Sequence, residues 1–313
     1  MIAPPPAHPG RLVYLGNPEV AVAPLTALHE AGHDVALVVT SPDRRRGRRS
    51  EPTPTPVGAR ALELGIPVAH DLSAVVDSGA DLGVVVAYGR IIPVDILARV
   101  PMLNLHFSLL PRWRGAAPVE RALLAGDQTT GVCLMEVAEG LDVGGVHARV
   151  EVPIRSTDTA DGLRERLAVL GARLLVDSLA AGLSAPVPQE GIATHAHKLH
   201  REDLALDWDR SAPELERLVR VGGAWTTFRD GDLKVWRAEV SDEVVPGPPG
   251  SIVGDLVATG VGALRLLEVQ PASRSRMGAS AWLGGARPVA DERLGRSEED
   301  TSELQSHPNL VCR

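Results

Sequence analysis

Short apolar runs alternate with helical patterns through the first half of the chain. RLVYLGN (11–17) and DVALVVTS (34–41) read as strands, separated by a helix over 18–32 that stops near Gly32. A helix over 57–65 leads into IPVAHD (66–71), a third strand, and DLGVVVAY (81–88) is apolar enough to predict a strand covered on both faces. MLNLHFS (102–108), TTGVCLMEV (129–137) and VHARVEVPI (146–154) continue the series. Helices fall over 118–126, opened by Pro118, and over 159–182, where Leu163, Leu167, Leu170, Leu174 and Val176 occupy apolar positions. Strands alternating with helices predict an α/β domain with a Rossmann-like parallel sheet over residues 11–182.

The periodicity changes after AAGLSAPVPQEG (180–191), and residues 183–194 read as a linker. Beyond it AWTTF, LKVWRAEV, GSIVGDLVATG and ALRLLEVQP are short strands bounded by turn residues, with one helix near 211–220. They predict a small OB-like β-barrel over 195–295. The opening MIAPPPAHPG lacks the apolar core of a signal peptide, so residues 1–10 read as a flexible leader.

Composition narrows the function classes. The chain is 44% hydrophobic and 23% charged, ordinary values for a soluble globular protein. A formal charge of −8 gives no general affinity for nucleic acid, so any RNA contact must come from a local basic patch. PDRRRGRR (42–49) is such a patch, a loop hung from the C-terminal end of the second strand. Two distant cysteines, Cys133 and Cys312, suggest neither a disulfide framework nor a zinc site and fit a reducing cytoplasm. HAHKLH (195–200) holds three histidines without a carboxylate or cysteine at a ligand spacing, so no metal site is expected. No apolar run is long enough to span a membrane.

Candidate chemistry concentrates in LNLHFSLLPRWRGAAP (103–118). Read as a strand with period two, it places Asn104, His106 and Ser108 on one face, where unpartnered burial costs about 1–3 kcal/mol each. Ligands of open parallel sheets bind beyond the C-terminal strand ends, which His106 and Ser108 approach. Asp142, in the glycine-bearing loop AEGLDVGG (138–145), is able to close over them. An amide to stabilise an oxyanion, an imidazole to move a proton and a carboxylate to orient it together suit acyl transfer. The plainer reading makes Asn104 and His106 satisfied core residues and Asp142 a turn former; pattern alone leaves both open. A serine hydrolase built on Ser108, His106 and Asp142 is a third reading, weakened by the lack of a nucleophile-elbow context.

NLHFSLLPRWRGAAP, followed by TGVCLMEV and GLDVGG, resembles the folate-dependent formyltransferases, in particular those that act on methionine-charged initiator tRNA. The resemblance extends to AYGRIIP (87–93), similar to the family's pterin-pocket segment, to TSPDRRRGRR, similar to its acceptor-stem loop, and to KLHREDLALDW, GAWTTF, LKVWRAE, PGSI and LLEVQPASRSRM. It implies a catalytic trio of Asn104, His106 and Asp142. It implies a folate site at Arg90, Ile91, Ile92, Ser108, Leu109, Leu110 and Pro111, and tRNA contacts from Arg44, Arg45, Arg46, Arg48, Arg49 and Lys198. The implied donor is 10-formyltetrahydrofolate, the acceptor the α-amino group of methionine on initiator tRNA, and the working form a cytoplasmic monomer; the chemistry requires no metal.

Some segments depart from that pattern. LGNPEVAV (15–22) lacks G-x-G-x-x-G and instead resembles the family's Gly-Thr-Pro-Asp/Glu-Phe-Ala-Val start, with Asn17 and Val20 as departures. VRVGG stands where the family carries an Asn-Pro-Trp-Pro-like turn, and ASRSRM is less basic than in relatives, which implies weaker tRNA contact. RSEEDTSELQS (296–306) closely resembles a reading frame of a common sequencing adapter, RSEEHTSELQS, so residues 296–313 are expected to be a non-native tail. Two rival functions stay open on the residues: a folate formyl enzyme with a nucleotide, amino-sugar or water acceptor, and an RNA-binding module with an idle first domain.

Overall fold

The computed structural model describes residues 2, 4–45, 51–229, 231–289 and 291–295. The chain divides into two compact units. Met1–Ala122, Asp127–Ser156 and Asp161–Lys198 make the first, and Leu123–Gly126, Thr157–Ala160 and the described chain from Leu199 make the second.

Among the described residues, the main sheet of the first unit has seven strands: β1 (Leu12–Gly16), β2 (Val35–Val39), β3 (Val68–Ala69), β4 (Leu82–Val86), β5 (Met102–His106), β6 (Thr129–Glu136) and β7 (Val146–Pro153). Their order is β7-β6-β5-β4-β1-β2-β3, with the first five strands in sequence parallel and β6 antiparallel to both of its neighbours, β5 and the edge strand β7. The connecting helices are α1 (Val22–Glu30), α2 (Pro56–Glu63), α3 (Ser73–Asp77), α4 (Val94–Leu97), α5 (Pro118–Ala125) and α6 (Ala160–Ala181). Every residue of β1 and β4 is buried, as their unbroken apolar runs require. Val13 and Leu15 join Val85, Ile92, Ile96 and Met102 in one cluster, while the buried Tyr14 hydroxyl donates to the Ala21 carbonyl at 2.6 Å.

Strand order reverses between β1 and β4, the place where open α/β sheets accept ligands. Asn17 sits there and ties three strand ends together. Its amide nitrogen donates to the Tyr88 carbonyl, and its oxygen accepts from the Thr40 hydroxyl at 3.0 Å and the Ser41 N–H at 2.7 Å.

Two segments are more ordered than their composition predicts. The leader is docked: Gly10 and Arg11 donate main-chain hydrogen bonds to Asp81, and the Ala7 carbonyl accepts from Leu183 at 2.8 Å. Residues 183–194, expected as a linker, lie within the first unit. There Val187 exchanges both main-chain hydrogen bonds with Val146, covering part of the otherwise open edge of β7. Composition missed this because the pairing needs only main-chain groups.

The second unit is an antiparallel sheet of β8 (Trp225–Phe228), β9 (Gly231–Ser241), β10 (Ile252–Val253), β11 (Leu256–Ala258), β12 (Ala263–Pro271) and β13 (Met277–Gly278). The order is β8-β9-β12-β11-β10, with β13 also on β12. Leu215, Leu218 and Val219 of α7 (Ala212–Val221) and Trp282 of α8 (Ala279–Ala286) fill its core with Val235, Leu264 and Val269. The glycines of VRVGG have a use: Gly222 and Gly223 both adopt positive φ, 93° and 78°, which turns the chain from α7 into β8.

α7 starts on a capping box. The Glu214 carboxylate accepts from the Ser211 N–H at 3.1 Å, the Ser211 hydroxyl at 2.7 Å and Arg210 at 3.0 Å, which together hold its pKa down at about 2. A depressed carboxylate stabilises the fold above its unfolded pKa of about 4.5 and loses that contribution as pH falls through about 2. The group is solvent-screened, so Glu214→Gln is expected to cost only the roughly 0.5–2 kcal/mol of a helix cap at pH 7. Denaturant titrations of the two proteins should converge as pH falls across that window.

Candidate active site

Asn104 and His106 stand on β5, two residues apart and hence on one face. Register places Asn104 beside Val85 of β4 and Met135 of β6. Asn104 is half-buried, and no described residue hydrogen-bonds its side-chain amide. His106 is buried among the sheet neighbours, and both of its ring nitrogens have assigned neighbours. Nε2 lies 2.8 Å from the Trp113 carbonyl, and Nδ1 lies 3.6 Å from Asp142 Oδ2.

Asp142 reaches His106 from the loop between β6 and β7. Its φ of +52° is a left-handed conformation that aspartate tolerates better than most residues. Oδ2 also accepts the Gly115 N–H at 2.8 Å. The loop allows no side chain at Gly144, where a Cβ would come within 2.0 Å of the Glu136 carbonyl oxygen. Gln189 then locks the loop to the turn after β5. Its amide nitrogen donates to the carbonyls of Asp142 (2.9 Å) and Gly144 (2.8 Å), and its oxygen accepts from Arg114 at 3.0 and 2.7 Å.

The structure therefore brings Asn104, His106 and Asp142 together but gives Ser108 another place. β5 ends at His106, and the Ser108 hydroxyl, fully buried, donates to the Arg112 carbonyl at 2.6 Å. A serine nucleophile is thereby excluded: its hydrogen is committed to a carbonyl and its oxygen cannot meet a substrate. Cys133, which pairs with His106 across the β5–β6 register, is equally unsuited, since burial pushes its thiol pKa up.

The expected folate residues fall into two groups. Ile92 lies in the core cluster that holds Val13 and Leu15, and Leu110 packs on Cys133 and Met135. With Ser108, these positions can offer a ligand only main-chain contacts. Arg90 is exposed, and Leu109 and Pro111 are half-buried in the turn. Ile91 is 91% exposed, and Leu141 and Val143, either side of Asp142, are 66% and 43% exposed. Exposed apolar side chains flanking Asp142, the partner of His106, fit a ligand with flat apolar faces and a polar edge. The cleft of ≈ 230 Å³ beside Leu109, Trp113, Asp127 and Thr130 does not include the trio.

Of the expected tRNA contacts, Arg44 and Arg45 are exposed on a two-residue hairpin with Pro52–Thr53, and Lys198 is exposed. Arg46, Arg48 and Arg49 lie outside the described residues, as do residues 296–313 with Cys312. His195 and His197 stack at 6.2 Å, and no metal-holding cluster of three or more such groups occurs among the described residues. Nor is any described helix long and apolar enough to cross a membrane.

Sequence reasoning missed Gln189, Asp127 and Thr194. Asp127 accepts from Arg112 and from the Trp113 indole, and the Thr194 hydroxyl accepts the Trp113 N–H at 2.9 Å. Their only signal was the polar content of RWR, which needs partners wherever it is partly buried.

Residues 10–179 match the formyl transferase model, and residues 198–287 match the model of the formyl transferase C-terminal domain. The chain belongs to the formyl transferase family. The methionyl-tRNA formyltransferase of Methylococcus capsulatus is 42% identical over 91% of this chain and 99% of its own length. That of Paenarthrobacter aurescens is 44% identical over 88% and 96%. Among solved structures, HypX from Aquifex aeolicus in complex with tetrahydrofolic acid superposes with a TM-score of 0.61 at 18% identity. It covers 88% of this chain, which spans 47% of HypX. An N-formyltransferase from Helicobacter canadensis, solved with folinic acid and dTDP-3-aminofucose, gives 0.61 at 16% identity over 82% of this chain and 98% of its own. These two share the fold.

Proposed function

We propose that this enzyme transfers the formyl group of 10-formyltetrahydrofolate to the α-amino group of methionine on initiator tRNA. One observation carries the chemistry: an amide, Asn104, with no hydrogen-bond partner among the described residues, on the same strand face as a buried imidazole held 3.6 Å from a partly buried carboxylate. The acceptor rests on relatives of that name at 42% identity over nearly their whole length.

The neutral amine of the acceptor attacks the formyl carbon, and the carbonyl oxygen takes the negative charge. Asn104 donates a hydrogen bond to that oxygen, and protonated His106 adds its charge. Asp142 supports the imidazolium and takes part in moving the proton lost by the amine to the folate nitrogen, whose bond to carbon breaks as the formyl group leaves. Arg90, Ile91, Leu109 and Pro111, with main-chain groups of Ile92, Ser108 and Leu110, would hold the donor. In this reading the protein works in the cytoplasm as a monomer.

Arg44, Arg45, Arg46, Arg48, Arg49 and Lys198 would meet tRNA phosphates, offsetting a net charge of −8 that otherwise repels RNA. The triple variant Arg44→Ser, Arg46→Ser, Arg48→Ser is expected to raise the tRNA KM about tenfold and flatten the log–log salt slope by about one per lost phosphate contact. Unchanged tRNA kinetics across a salt series would count against the loop.

The deciding assay incubates the purified protein with 10-formyltetrahydrofolate and methionyl initiator tRNA, with sugar nucleotide, glycinamide ribonucleotide and water as competing acceptors. Formyl-methionyl-tRNA is the expected product. Formylation of another acceptor alone overturns the reading.

A further inference from the structure

We propose that Asp127 is a positioning residue that, through Trp113, fixes which ring nitrogen of His106 exchanges protons. The effect on turnover rests on the function proposed above; the effect on the imidazole does not.

Asp127 follows α5, and its carboxylate gathers the side chains of two consecutive residues from the turn after β5. It accepts from Arg112 Nε at 2.8 Å and Nη2 at 2.6 Å, and from Trp113 Nε1 at 2.7 Å. The Arg112 guanidinium also lies over the indole, 4.4 Å from the ring centre. The indole is thus held at its edge by Asp127 and on one face by the arginine that Asp127 binds. Taken alone, an Arg–Asp pair with the arginine 45% exposed contributes little stability. Its place beside Trp113 is what gives it a consequence.

Trp113 has φ +65°, a conformation that a bulky residue keeps only when its surroundings impose it. Asp127 fixes its side chain, and the Thr194 hydroxyl fixes its N–H at 2.9 Å. The third fixed group is the one that matters. The Trp113 carbonyl, 2.8 Å from His106 Nε2, can only accept, so Nε2 must carry the hydrogen. In the neutral ring Nδ1 is then the basic nitrogen, and it faces Asp142 Oδ2 at 3.6 Å. If Trp113 relaxed to an ordinary φ, the carbonyl would leave, and Nδ1 could keep the hydrogen for Asp142 while Nε2 became basic. That tautomer turns the basic lone pair away from the Asp142 side of the ring.

Asp127→Asn is nearly isosteric but presents an NH₂ group to donors, so it releases the indole or the guanidinium. The test is the ring ¹⁵N spectrum of histidine-labelled protein, with His106 signals identified by their loss in His106→Gln. The wild type is expected to show the Nε2–H tautomer when neutral, and Asp127→Asn a mixture of the two. Turnover in the formylation assay should fall about 10- to 100-fold, with both KM values within about twofold. Trp113→Phe, which removes only the indole N–H, should move both readouts the same way by less, and Asp127→Glu should restore part of the loss. An Asp127→Asn protein that keeps a pure Nε2–H tautomer overturns the proposal, as does a mixed tautomer with unchanged turnover. If Asp127→Asn fails to fold, Trp113→Phe decides by the same criteria. If the wild type formylates no tRNA, the functional reading fails while the tautomer comparison still reads the positioning.

Discussion

Replacing Asn104 by alanine is expected to reduce turnover about 100- to 1000-fold while leaving the protein folded. Asn104 sits on a central strand of the sheet, half-buried, and no described residue hydrogen-bonds its amide. Removing it therefore breaks no hydrogen bond among the described residues, and the methyl group that remains keeps its place between β4 and β6. Stability should change by no more than about 1 kcal/mol, the scale of an ordinary substitution. On the proposed mechanism, the lost interaction is one that strengthens as charge develops on the formyl oxygen. The loss should accordingly fall on kcat, with little change in KM for either substrate. Single-turnover formylation with the Asn104→Ala protein, alongside its thermal unfolding, separates the two effects. Turnover within tenfold of wild type in a folded protein would remove Asn104 from the mechanism.

β1, β2 and β4 were legible because each is a continuous apolar run between turn signals, and the long α6 because its apolar positions recur at helical spacing. α8 was not: ASAWLGGA combines two glycines with apolar residues and shows no face, and packing on β12 and β13 makes it a helix. Period-two alternation placed Asn104 and His106 correctly on one face and then overran the end of β5 by assigning Ser108 to it. The turn that follows rotates that hydroxyl onto the Arg112 carbonyl instead. Gln189 was invisible for a different reason. It lies 47 positions from Asp142 in a segment rich in proline and glycine, and its four hydrogen bonds leave no periodic trace. The same holds for Asp127, which serves Trp113 across a helix. The candidate trio's Asn104 and His106 stood out as polar groups in apolar company, whereas Gln189 and Asp127, which hold the neighbouring turns in place, emerged only from the folded contacts.

Asp142→Asn is expected to lower turnover about 100- to 10,000-fold, the range of a general acid–base partner, with stability nearly unchanged. The substitution is the clean one because of the backbone. Asparagine tolerates φ +52° about as well as aspartate, whereas alanine there would add roughly 1–2 kcal/mol of strain and confuse folding with chemistry. Asparagine also keeps an oxygen to accept the Gly115 N–H, and its main-chain carbonyl keeps the bond from Gln189, so the loop should hold its position. What disappears is the negative charge 3.6 Å from His106 Nδ1. On the proposed mechanism, losing it leaves the His106 charge unbalanced opposite the developing oxyanion and cuts the route for the amine's proton. The expected signature is a collapse of kcat at wild-type folate and tRNA KM and a wild-type melting temperature. An Asp142→Asn enzyme with a tenfold or smaller loss would reduce Asp142 to a loop anchor for Gly115 and leave His106 without a charged partner among the described residues.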